Sequence, residues 1–207
     1  MTPFPFLANA GRATTTQVAL GLVAVANVAH ALLFAWLLHA WGEIEDAAPF
    51  ERIETVIGLG LLGAALFTGI AFLFWFRRAY GNAHAVGLHG RFGLGWAVGG
   101  WFVPFLNLVR PFQIMGEMWR HAGHARVGPY AIVGLWWTGF LVGNFADNIG
   151  TRMLNGGSND AALLAVKVLL GSDIVSCVAA LLAILIVRRL TAAHVAMSQA
   201  KQAEVFD

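Results

Sequence analysis

Two long apolar runs restrict this chain more than any other feature. Neither Val18–Trp41 nor Val56–Phe76 contains an Asp, Glu, Lys or Arg. A bilayer core of about 30 Å takes about 20 apolar residues in helical form, and both runs meet that length. Two further runs follow, Tyr130–Ile149 with Asp147 as its only charge and Ala161–Val187 with Lys167 and Asp173. The chain is 58% hydrophobic and 12% charged, whereas a soluble domain carries roughly 25% charged residues. The expected class is an all-α, multi-pass membrane protein. The first run exceeds the ~7–15 residues of a signal-peptide core, so it reads as a retained span. The lone Cys177 excludes an internal disulfide and reads as a small apolar side chain.

Charge sets the expected topology. Six arginines and a single acid, Glu117, lie between Arg77 and Arg126, and Arg188 and Arg189 end the last run. The connector "GEIEDAAPFERIE" after the first run is acidic. Cytoplasmic loops collect Lys and Arg, so both termini and the 77–128 region are expected inside, with the connector outside. The apolar stretch "GLGWAVGGWFVPFLNLVRP" (93–111) would break that asymmetry if it crossed. Pro104 also disfavours a continuous helix there. The reading is four spans, about 18–41, 56–76, 130–149 and 161–187, with a cytoplasmic-side re-entrant or interfacial hairpin over 93–122. Residues 1–190 would form one membrane domain, and 191–207 a cytoplasmic tail of frayed helix. From Pro111 an amphipathic helix is expected in the interface. It would set Gln113, Glu117 and Arg120 on its wet face and Phe112, Met115 and Trp119 on the other.

The segments "WFRRAYGNAHAVG" and "GWAVGGWFVPFLNLVRPFQIMGEMWR" resemble the bacterial membrane family described as domain of unknown function 4328. The shared pattern runs through Trp75, Arg78, Tyr80, Asn82, Trp96, Trp101, Pro104, Asn107, Arg110, Pro111, Gln113, Glu117 and Trp119. It departs at Gly93–Leu94, where a Ser-Pro-like pair is expected. The resemblance implies a four-span fold in the bacterial inner membrane and carries no activity with it.

Two constellations are candidate sites. Arg78, Tyr80, Asn82, Arg110, Gln113 and Glu117 fall in the signature. Planar guanidinium forks flanked by aromatic rings at headgroup depth suit an anionic lipid headgroup. The bland alternative is that these arginines only hold the loop inside. Asp173 and His30 lie near the midpoints of the last and first runs, and ionisable groups at that depth are a functional signal by default. Such a pair can shuttle a proton, bind a cation or tie two helices together. Asn27 sits a turn from His30, and Asp147 is the expected partner of Lys167. His84, His89, His121 and His124 have no metal-ligand spacing, so no metal, haem or other cofactor is expected. No phosphate-cradling, nucleophile or zincin motif points to an enzyme. Glu117 or His121 as a lone base lacks supporting spacing.

The leading expectation is a non-enzymatic module that binds lipid or a membrane-protein partner, self-association included. The alternative is a small transporter or channel subunit using Asp173 and His30. Nucleic acid is not an expected partner, because the basic residues interleave with membrane-embedded segments.

Overall fold

The computed structural model describes residues 5–41, 48–154 and 159–206, among which there is no strand. Its helices are α1 (Ala10–His39), α2 (Ala48–Ala85), α3 (Trp96–Gly99), α4 (Arg110–Ala122), α5 (His124–Val127), α6 (Ala131–Leu154) and α7 (Asn159–Phe206). A 3-10 turn at Leu106–Leu108 precedes α4. Three stretches are long and apolar enough to cross a membrane: Ala10–His39, Arg52–Ala85 and Ala161–Glu204. Many of their large apolar side chains, among them Val25, Leu32, Leu59, Leu66, Phe74 and Leu181, are more than half exposed. A water-soluble fold would bury such side chains, whereas hydrocarbon solvates them. The chain is an all-helical membrane protein. Glu43, Glu45 and Asp46 of the acidic connector, and the "NGGS" of the later polar loop, lie outside the described residues.

The chain packs as two compact units. The first comprises Met1–Ala19, Thr68–Leu135 and Leu182–Asp207. Its core holds Trp75, Phe76, Tyr80, Ile114, Met115, Met118, Trp119, Ile186 and Leu190, each 2% exposed or less. Polar ties join its segments. Thr16 donates to the Ala71 carbonyl at 3.0 Å, and the Trp75 indole donates to the Thr191 hydroxyl at 3.0 Å. Arg189 donates to the Val127 carbonyl and Lys201 to the Ala85 carbonyl, both at 2.9 Å. The helix α2 stops where Gly87 takes φ +105°, and the Gly87 and Leu88 amides fold back onto the His84 and Ala83 carbonyls. Only glycine adopts that backbone without strain, which makes it the usual helix terminator.

The segment after Thr191 is helical, as expected: α7 continues to Phe206, and Ala193, His194 and Ser198 are buried on the same face as Leu190. Their i, i+3, i+4, i+8 spacing makes one continuous face. One expectation is corrected in this unit: of the residues expected on the wet face of α4, Arg120 is exposed and Gln113 half-buried, but Glu117 is not on that face. Pro111, Ala122 and every residue from Ile114 to Trp119 are buried, Glu117 included, whereas Phe112 is half-exposed. Glu117 turns inward because polar partners meet it there.

The second unit comprises Leu20–Phe67 and Trp136–Leu181. Phe34 and Leu37 of α1 pack with Val166 and Leu169 of α7. The helices α6 and α7 approach at backbone range. A Cβ added at Gly139 would lie 3.3 Å from the Ala179 methyl, and one at Gly150 only 2.7 Å from Leu169 Cγ. Small residues permit that approach, which drives helix association in lipid by van der Waals contact. Lys167 is exposed and, among the described residues, makes no ion pair with Asp147, contrary to expectation.

Candidate functional site

The six signature residues separate into three settings within the first unit. The first is a cavity of about 190 Å³ beside the end of α2, lined by Arg77, Arg78, Asn82, Leu94, Pro5 and Leu7. Asn82 builds its rim. The side-chain amide donates to the Leu7 carbonyl at 2.7 Å, and its oxygen accepts from the Leu7 amide at 3.0 Å. This two-way bond, with the Asn9 amide reaching the Trp75 carbonyl at 3.5 Å, fixes the segment ahead of α1. Asn82 thus spends one N–H and one oxygen lone pair on Leu7, keeps one of each, and shapes the wall. Arg78 is half-buried, and the charges of Arg12 and Arg77 both repel it. Among the described residues no carboxylate pairs with any of these three guanidinium groups.

Tyr80 and Glu117 form the second setting. Glu117, 8% exposed, accepts from the Tyr80 hydroxyl at 3.0 Å and from Arg91 Nε at 2.9 Å. The Arg91 backbone amide adds a contact at 3.3 Å. The Tyr80 oxygen also lies 2.9 Å from the Phe92 carbonyl. Gly90 permits the loop to come this close, because a Cβ there would meet the Tyr80 oxygen and the His84 ring. These residues clip the 86–92 loop onto α4 and α2.

The third setting is Arg110. Its guanidinium lies 4.2 Å from the Phe92 ring centroid and 5.3 Å from that of Trp96. Arg110 Nη1 donates to Gln113 Oε1 at 3.2 Å, and its Nε is buried without a hydrogen-bond partner. Arg110 does not line the Arg77–Arg78 cavity, so the two arginines expected to share a pocket occupy separate ones. The Phe92 and Trp96 rings, from the segment ahead of α4, capture Arg110, an attraction of about 0.5–2 kcal/mol that linear spacing does not reveal. Sequence reasoning also missed Arg12 and Arg91 as members of these sites. Both were legible only as charges, since their partners are far away in the chain.

The second unit holds the other pair. His30 Nδ1 lies 3.0 and 3.1 Å from the two Asp173 carboxylate oxygens, with His30 6% and Asp173 4% exposed. The Phe34 ring packs edge-on to the imidazole at a centroid distance of 4.4 Å. Asn27 takes no part, because its amide donates to the Val23 carbonyl of its own helix. Among the described residues no group of three or more His, Cys, Asp or Glu is disposed to hold a metal.

No curated protein and no solved structure matches the chain. A family model does, over residues 43–192, which takes in Arg77, Arg78 and Asn82 of the cavity wall and Asp173, but not Pro5, Leu7 or His30. With well over half its length matched, the chain belongs to the family described as Domain of unknown function (DUF4328).

Proposed function

We propose that this protein is a four-span membrane module that binds an anionic lipid headgroup at its cytoplasmic face, between Arg77, Arg78 and Arg12. One observation carries the reading: Arg77 and Arg78 line a cavity, the charges of Arg77 and Arg12 both repel Arg78, and none of the three has a carboxylate partner among the described residues. Like charges held together in this way favour a bound anion, and arginine suits phosphate bidentately. Each charge-assisted hydrogen bond is worth about 1.5–3 kcal/mol.

The depth of neighbouring rings supports a dip rather than a crossing by the 93–109 stretch. Trp101 packs edge-on to Phe72 and Phe76, at centroid distances of 5.6 and 6.2 Å. Both belong to the charge-free part of α2, just before Arg77 and Arg78. The residues after Trp101 therefore reach hydrocarbon level with Phe102 70% and Phe105 84% exposed. Phe105 adopts φ +63°, a strained conformation for a bulky residue that aims an aromatic ring outward. Irregular backbone at this depth needs protein against it, which the α2 rings supply.

The remaining span, third in chain order, is α6, whose 24 residues extend about 36 Å at 1.5 Å per residue. Its Asn144 and Asn148 amides bond to carbonyls four residues back, at 2.7 and 2.9 Å, which lowers the cost of placing them in lipid.

The test is anionic phospholipid co-purified with the full chain, quantified by mass spectrometry. Arg78→Ala and Arg77→Ala should lose most of it, and Arg78→Lys part, because the planar fork is gone. Arg126→Ala and Arg110→Ala should retain it. Equal lipid in all five variants would reduce these arginines to topological signals.

A further inference from the structure

The second unit contains an ionisable cluster that the headgroup reading does not use. Helix registers set its level. Gly143 of α6 faces Ser176 of α7, and Gly150 faces Leu169. Asp147, a turn beyond Gly143, is therefore level with Ser172 and Asp173, a turn before Ser176. His30 of α1 meets Asp173 at that same level. The charges of Asp147 and His30 act on each other, and that of Asp147 acts on Asp173. Two carboxylates and one imidazole from three helices thus share one plane of a membrane protein. In the α2 part of the unit, residues 48–67, the ionisable residues Glu51, Arg52 and Glu54 stand in the first two turns. Lys167, Arg152 and Asp147 itself are exposed, so Asp147 acts on the buried pair by its charge and not by contact.

The imidazole has one nitrogen in use. Nδ1 faces the Asp173 carboxylate, while Nε2 is buried with no hydrogen-bond partner in the protein. A tie between two helices needs only the first. A second buried polar atom left unpaired costs about 1–3 kcal/mol, which a purely structural histidine would avoid. With the proton of a neutral ring on Nδ1, donated to Asp173, Nε2 carries a free lone pair.

We propose that His30, Asp173 and Asp147 form a proton-transfer site within the second unit. A proton arriving at Nε2 forms an N–H bond there and makes the ring an imidazolium, which the two carboxylates stabilise. The Nδ1–H bond then breaks, its proton forms an O–H bond on Asp173, and the ring is neutral again. One proton has passed across the imidazole; the Asp173 O–H bond then breaks as its proton moves to water, and a half-turn of the ring presents the Nε2–H to Asp173 and the free Nδ1 lone pair to the next proton. Ionisable groups at this depth commonly serve such relays. The inference is independent of the lipid-headgroup reading, because none of its residues lies in the first unit.

The experiment is proton flux into liposomes containing the full chain, with a trapped pH dye and a valinomycin-imposed potassium diffusion potential. Wild type should acidify the lumen faster than protein-free vesicles. Asp173→Asn, which keeps a hydrogen-bonding side chain of the same size, should fall to the protein-free rate, as should His30→Gln. Asp147→Asn should slow the flux, and Lys167→Gln should leave it at the wild-type rate. Wild-type flux equal to that of empty vesicles overturns the proposal without reliance on any variant. Asp173→Asn flux equal to wild type overturns it too and leaves the pair a structural tie.

Discussion

Glu117 shows what a single residue contributes when its partners come from two distant places in the chain. Tyr80 of α2 and both the main chain and side chain of Arg91 converge on its carboxylate. Glu117→Ala would strand the buried Tyr80 hydroxyl and release the loop. The expected loss is about 1–3 kcal/mol, kept at that level because Arg91 is mostly exposed and water screens its share. Tyr80→Phe removes one neutral donor and should cost about 1 kcal/mol. Thermal unfolding in detergent measures both, and a Glu117→Ala variant as stable as wild type would mean the contact contributes nothing. The sequence marked Tyr80 and Glu117 as notable through the family signature alone. Hydropathy placed Glu117 on the wet side of α4, because a helical wheel does not show that another chain segment brings an arginine to meet it. His30 and Asp173 were legible for the opposite reason. Rise per residue fixes depth, and in a spanning helix matched depth narrows the choice of polar partners.

At the scale of elements, the long apolar runs were legible because hydrocarbon demands length and lack of charge, both linear properties. Helix ends were less so. The helix α1 starts at Ala10 and α2 reaches Ala85, beyond the apolar limits of their spans, because hydrogen bonding continues after hydropathy stops. The last part of α7 was legible as helix, but its polar composition hides a buried face. Leu190→Ala tests the packing where that face begins: the residue is fully buried, and a cavity there should cost about 2–5 kcal/mol. Unchanged stability would mean that this face does not pack. The α4 end carries a pH dependence. Burial holds His121 below the ordinary imidazole value, and His84 and His89 push the same way against its bond to the Val86 carbonyl. A base whose folded value is depressed contributes stability above its unfolded value of about 6.5, lost as pH falls toward the folded one. Unfolding temperature should therefore drop more steeply between about pH 7 and pH 5 in wild type than in His121→Gln. Parallel curves would show that His121 does not titrate against folding.

At the scale of the whole molecule, the decisive question is how many times the chain crosses. If 93–109 dips, α2 and α6 are the second and third spans and the loop between them begins and ends inside. If it crosses, Arg110, Arg120 and Arg126 lie outside with Arg188 and Arg189, against the charge bias that governs short loops. The first unit favours the dip from within, because the end of α2, all of residues 86–130 and the start of α6 belong to it together. Its ties at Arg189–Val127 and Lys201–Ala85 also bind the α7 end to the same segments, which puts the C-terminus on the side of the loop. In a Cys177→Ser background, cysteines introduced at Ala47, His89, Ala125 and Gln202 should separate cleanly under a membrane-impermeant maleimide applied to intact cells. Ala47→Cys should label from outside, and the other three only after the membrane is opened. Charge alone can be outvoted by a long hydrophobic segment, so Ala125→Cys is the discriminating position. External labelling at Ala125 and Gln202 with protection at His89 would mean that the stretch crosses. The Arg77–Arg78 cavity would then stay at the inner face, separated by the bilayer from the Arg110 site.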